Sequence, residues 1–230
     1  MAGLVEQPAQ PMSGRADAPR AVAETRVSRF ISPFDNLFAP IVAGWPKSPR
    51  ELTWLAPGTP PPLTRAKVCA WRRDDGRRFL FWDRRFDEPC GYAELNRMPD
   101  ERRRYWIGHF ILDPARRGLG LSHAFFQNLV IHAFEDMQAS EVLLVVIPEN
   151  VAAIRCYERG GMLVSGRESK RFDATGGRHT FLRMCIHRRR YERFDAYRNA
   201  DTIRMPFVRS AVSLLNGKGR TGTPRSTPTR

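Results

Sequence analysis

The segment Arg117-Gly118-Leu119-Gly120-Leu121-Ser122 could do chemistry with its own main chain. It follows the apolar run Phe110-Ile111-Leu112 and the turn pair Asp113-Pro114, and it opens at once into a helical pattern. Glycines let a backbone approach a ligand closely, and the free N–H groups of a helix's first turn point outward. Together with the positive end of the helix dipole they make an anion site, to which Arg116 and Arg117 add mobile charge. A diphosphate is the obvious guest. Three phosphate-binding patterns can be told apart here. The triphosphate loop needs Gly-Lys-Ser/Thr, whereas Gly120 is followed by Leu121-Ser122. The dinucleotide fingerprint needs a third glycine where His123 stands, and a turn directly after the strand, where Pro114 to Arg117 intervene. The third pattern, Gln/Arg-x-x-Gly-x-Gly/Ala, fits as Arg117-x-x-Gly120-x-Ser122, with only the last small residue changed.

Such a loop works only if strands and helices hold it. Phe79 to Trp82, Gly91 to Leu95 and Tyr105 to Leu112 read as three strands of an antiparallel meander. A helix follows from about Gly118 to Met137, with Leu121, Phe125, Leu129 and Ala133 on one face. The continuous apolar run Val142 to Ile147 predicts a central strand covered on both faces. A second helix fits Val151 to Arg159, stopped by Gly160-Gly161. Arg167 to Phe172 and Thr180 to Ile186 supply two more strands around Gly176-Gly177. Ahead of the meander, Phe34, Phe38, Ile41 and Val42 recur at helical spacing around Pro40. Ser48-Pro49-Arg50-Glu51 caps a short helix, and Leu63 to Trp71 suits another. Helices, three strands, helix, strand, helix and two strands make an α/β layer with a mixed sheet. The expected boundaries are a disordered N-terminal extension over 1–28, one folded domain over 29–187, and a basic extension over 188–230, flexible from about Asn216.

A second motif stands one helix and one strand beyond the first: Asn150-x-x-Ala153-x-x-x-Tyr157-Glu158-x-x-Gly161. With Leu112-Asp113-Pro114 and Arg117-Gly118-x-Gly120, in that order and separation, the chain from about Phe30 to His187 resembles the GNAT family of N-acetyltransferases. Ser122, where Gly or Ala is usual, and Met162, where Phe is usual, are mild departures. The resemblance implies a mostly antiparallel mixed sheet with flanking helices. Its central strands, the one ending at Leu112 and Val142 to Ile147, would splay into a V. It implies that acetyl-CoA lies in the split, its pantetheine bonded to main chain at Phe110, Ile111 and Leu112. The pyrophosphate would rest on N–H groups of Arg117, Gly118, Leu119, Gly120, Leu121 and Ser122. Acetyl would pass directly to an amine, with no acyl-enzyme.

By the same resemblance Tyr157 protonates the departing CoA sulfur, and Asn150 caps its helix and contacts the cofactor. An acceptor ammonium must lose a proton before attack, and Glu94 and His109 are the candidate bases. Glu94 shares a strand face with Tyr92 and Asn96. Its plain alternative role is an ion pair with a neighbouring arginine, and that of His109 is packing. Glu149 and Glu168 are weaker choices for the base. Cys156 neighbours Tyr157 on the helix and is expected to point elsewhere.

The bulk properties limit the rest. Among 230 residues, Cys69, Cys90, Cys156 and Cys185 are scattered, and neither they nor His123, His132, His179 and His187 show metal-ligand spacing. No metal is therefore expected. The apolar runs are too short to cross a bilayer, and no secretory or transit signal is evident, which predicts a cytoplasmic protein without membrane contact. A formal charge of +14, from 38 basic and 24 acidic residues, favours polyanions without naming one. The acid-free tail is a possible polyanion contact. The rival reading is a basic nucleic-acid- or ribosome-associated protein whose acyl-CoA site is regulatory or vestigial.

Overall fold

The computed structural model describes residues 29–194 and Tyr197, apart from 100, 102 and 175. Seven strands form one sheet in the order β1-β2-β3-β4-β5-β7-β6. They are β1 (Arg29–Pro33), β2 (Gly76–Asp83), β3 (Gly91–Arg97), β4 (Arg104–Leu112), β5 (Glu141–Val146), β6 (Leu163–Phe172) and β7 (Gly177–His187). Every neighbouring pair is antiparallel except β4 and β5. That parallel ladder joins only Arg104, Tyr105 and Trp106 to Glu141, Val142 and Leu143. Beyond Trp106 the two strands part, and the expected V-shaped split lies between them.

Helices cover both faces. On one, α4 (Leu121–Ile131) and α5 (Val151–Arg159) pack on the inward residues of β2 to β5. Leu121, Phe125, Leu129 and Ala133 are all buried, as their spacing predicts. The residues between them, Phe126, Val130, Ile131 and Phe134, are buried too, so α4 is a core helix rather than a surface one. It ends sooner than the pattern suggests, because His132 to Asp136 form a π-helical turn. On the opposite face, α1 (Ala39–Ala43), α2 (Pro49–Leu55) and α3 (Arg65–Ala70) gather over β1 to β3. Pro40 sits in the first turn of α1, where its missing N–H costs nothing. Ser48 caps α2 by accepting from the Glu51 N–H at 3.1 Å.

The helical reading of the first ordered segment overlooks β1. This five-residue edge strand pairs with β2, and Phe30, Ile31 and Ser32 are all buried. Burial on both faces removes the alternation by which so short a strand could be recognised. The folded body also continues past His187. Tyr191 of α6 (Arg188–Arg193) and Tyr197 join the core, with Tyr191 stacked on Phe134 at 4.5 Å and the Tyr197 hydroxyl donating to the Gly160 carbonyl at 2.9 Å. The predicted N-terminal extension and the acid-free tail lie outside the described residues.

Candidate active site

The cleft opened by the splay has a volume of about 380 Å³. Ile107 and His109 to Leu112 of β4 form one wall, and Leu144 to Val146 of β5 face them. Arg117, Gly118, Leu121 and Ser122 close one end, and Asn150, Ala153, Cys156 and Tyr157 another side. The loop is held by local chemistry. Asp113 accepts from the Ala115 N–H at 2.9 Å, turning the chain after β4. Gly118 and Gly120 then take φ of +80° and +72°, a region L side chains avoid. No neighbouring atom lies within 4 Å of where a Cβ would stand on either, so the approach to the backbone is open. No side chain caps α4, and its first-turn N–H groups begin beside the cleft.

Of the predicted donor-side residues, Phe110, Ile111, Leu112, Arg117, Gly118, Leu121, Ser122 and Asn150 all line the cleft. Leu119 and Gly120 do not line it: Leu119 is half exposed, and Gly120 is the N-cap of α4, next to the lining residues Leu121 and Ser122. Asn150 caps α5 by accepting from the Ala153 N–H at 3.3 Å. The Tyr157 ring is buried, 6.0 Å from Phe110 and 5.1 Å from Phe126 between centroids, and burial raises its phenol pKa well above the ordinary value. Cys156, expected to point away, also lines the cleft. The cleft curls around α5 far enough to reach two adjacent side chains. Burial pushes the Cys156 thiol pKa up, which is opposite to what a nucleophilic cysteine requires.

Glu94 and His109 form one unit. Between the paired residues Tyr92↔Ile111 and Glu94↔Gly108, β3 has one residue, Ala93, and β4 has two, His109 and Phe110. This is a β-bulge. Strict alternation from Ile107, which faces the α4 side, would put His109 on that side too, away from Glu94. The bulge, with His109 at φ +44°, turns the ring back. His109 Nδ1 then lies 2.9 Å from Glu94 Oε1, and Trp71 stacks on the ring at 4.0 Å. Glu94 is 1% exposed. It accepts from the Tyr92 hydroxyl at 2.6 Å and from Asn96 Nδ2 at 3.0 Å. Burial drives its pKa up, but hydrogen bonds from His109, Tyr92 and Asn96 outweigh this and hold it below the ordinary carboxylate range. The partner is a histidine rather than the arginine of the alternative role. Gly108 makes room, since a Cβ there would meet Glu94 Oε2 and Asn96 Nδ2, each at 3.1 Å.

Trp71, Gly108 and Glu51 escape sequence reasoning. Glu51 is legible only as a cap residue, yet its carboxylate grips Arg117 with two bonds, of 2.8 and 3.2 Å, across the cleft mouth. The hydrogen bond from Arg117 lowers its pKa. Glu149 and Glu168 do not line the cleft.

A Gly-bearing loop at a helix start and a split parallel pair match the architecture that the two motifs imply. Residues 45–162 match the model of the acetyltransferase (GNAT) family. The chain belongs to the GNAT family. It is an acetyl-CoA-dependent N-acetyltransferase. The spermine/spermidine N(1)-acetyltransferase of Bacillus subtilis (strain 168) is 26% identical over 109 residues, 45% of this chain and 68% of that protein. The crystal structure of spermidine N-acetyltransferase from Vibrio cholerae in complex with CoA and spermine superposes with a TM-score of 0.61 at 17% identity, over 71% of this chain and 98% of that one. A manganese-bound form of the Vibrio cholerae spermidine/spermine N-acetyltransferase gives 0.57 at 17% identity, over 73% and 97%. These structures support the fold. Among the described residues, no helix is long and apolar enough to cross a membrane.

Proposed function

We propose that this GNAT enzyme acetylates a primary amine with His109 as general base, Glu94 as its positioning partner and Tyr157 as donor to the leaving sulfur. One observation carries this reading: His109 lines the cleft while its Nδ1 is committed to a buried carboxylate. The remaining ring nitrogen, Nε2, is the one left for the acceptor. It takes a proton from the ammonium, directly or through one water. The freed nitrogen attacks the thioester carbonyl, whose oxygen is polarised by main-chain N–H groups at the bulge. The C–S bond then breaks, and the Tyr157 hydroxyl hydrogen-bonds the developing thiolate. Because burial raises that phenol's pKa, it stays protonated and acts mainly as a hydrogen-bond donor, while the proton that the nitrogen sheds on becoming an amide neutralises the thiolate.

Acetyl-CoA lies along β4, with its pyrophosphate on the loop from Arg117 to Ser122 and the start of α4. Spermine and spermidine are the first acceptors to test, since relatives carry those names. Glu51 supports a polyamine: once Arg117 turns to the cofactor phosphates, that carboxylate at the mouth can hold a second ammonium. The test is an amine panel scored by CoA thiol release. Turnover of spermine or spermidine, with KM raised in Glu51→Gln, is the expected result. Turnover confined to amines with no second cationic group would overturn the polyamine assignment.

A further inference from the structure

Away from the acetyl-transfer cleft, three ligand types meet at the closed end of the strand split. Glu141 begins β5, and it lies opposite His187 in the β5–β7 ladder. Cys185, two residues before His187, shares its face of β7. His187 Nε2 is 3.6 Å from Glu141 Oε1 and 3.8 Å from Cys185 Sγ. All three ligand atoms lie within 4.8 Å of one another.

We propose that Glu141, Cys185 and His187 form a zinc site. Zinc–ligand bonds of about 2.0–2.3 Å at tetrahedral angles separate neighbouring ligand atoms by about 3.3–3.6 Å. The observed spacings need to contract by only a few tenths of an ångström on the two edges given. A thiolate, an imidazole and a carboxylate suit zinc better than magnesium or calcium, which prefer oxygen alone. The scaffold is two paired strands rather than a loop. The outer oxygen of Glu141, Oε2, accepts from Arg104 Nε, which leaves Oε1 aimed at His187. Such a partner behind a ligating carboxylate fixes its orientation.

Burial, aided by the neighbouring Glu141 carboxylate, raises the Cys185 thiol pKa. A cation between the two groups would reverse that repulsion. On binding, the Cys185 S–H proton leaves to solvent as the sulfur–metal bond forms. His187 is 64% exposed in its side chain, so the fourth position faces water. The metal would tie β5 to β7 where the chain turns into α6.

The test is a cobalt(II) titration of the full chain, prepared without a polyhistidine tag. A thiolate-to-cobalt charge-transfer band is expected, saturating at one ion per chain and displaced by zinc. Cys185→Ser should abolish the band, and the exposed-site variant His187→Gln, which removes a ligand, should weaken binding by about a hundredfold or more, beyond what loss of a partner behind a ligand costs. Absence of the band in the unaltered protein would overturn the assignment. A band that survives Cys185→Ser would do the same, since the metal would then sit elsewhere.

Discussion

The loop that follows β4 and the histidine–glutamate unit carried by β3 and β4 border the same cleft, yet they are built from different materials. The loop from Arg117 to Ser122 offers main-chain N–H groups, an unobstructed backbone and a helix start. The unit around Glu94 is made of side chains from β3, β4 and the end of α3, with the Glu94 carboxylate hydrogen-bonded by Tyr92, Asn96 and His109 and Trp71 stacked on the histidine. A main-chain site tolerates changes of side chain but not of backbone conformation. A buried side-chain network behaves the other way, because removing one member leaves its partners unsatisfied.

The largest test of this contrast is Gly120→Glu. It places a carboxylate at the anion site and an L residue at φ +72°, which costs about 1–2 kcal/mol. CoA affinity should fall by about 100-fold or more through charge repulsion and loss of the helix-start geometry, read by calorimetry. Retained affinity would mean that the loop is not the phosphate site. Next, His109→Gln should lower kcat by about 100-fold or more while the CoA dissociation constant stays within about threefold. Equal losses in both would mark His109 as packing alone.

Tyr157→Phe removes one hydrogen bond to the leaving sulfur. The expected fall in kcat is about tenfold, again with CoA binding spared. If binding fails in this variant, Tyr157 is structural. The smallest effect on turnover, and the clearest on stability, belongs to Glu94→Gln. It should destabilise the fold by about 1–3 kcal/mol at neutral pH, because the amide cannot accept from three donors as a carboxylate does. The Glu94 pKa is depressed in the folded state, so its contribution is fully present above the unfolded value of about 4.3. It is lost as pH falls from there through the folded pKa. Glu94→Gln should therefore flatten the acid side of the stability curve, measured by urea unfolding across that range. An unchanged slope would show that Glu94 is not held ionised by its neighbours.

Much of the donor side is readable in the chain because its determinants are local. Gly118 and Gly120 reveal their purpose by spacing from Arg117 and from the helix that follows. Asn150 reveals a cap by its distance from Ala153, and helix α5 runs from Val151 to Arg159 as its pattern indicates. The edge strand β1 was hidden because five residues buried on both faces carry no period. Cys156 lines the cleft against expectation because helical direction alone says nothing of how far a cleft extends around a helix.

Glu94 and His109 were each legible as a titratable residue on a strand, but not as partners. Fifteen positions separate them, and alternation sends them to opposite faces. Only the bulge reverses that, and whether a strand accepts an extra residue depends on the pairing it finds. Glu51 and Arg117, 66 positions apart, meet for the same kind of reason. So do Glu141 and His187, which share no spacing that a metal motif would recognise. The sequence by itself determined the two motifs through which the chain resembles the GNAT family, and with that resemblance the acyl donor, since the glycine conformation, helix capping and strand periodicity that carry those motifs act within a few residues. The tertiary structure decided which side chains stand together. Strand register, a bulge and the reach of α2 across the cleft arise from contacts that no stretch of chain contains on its own.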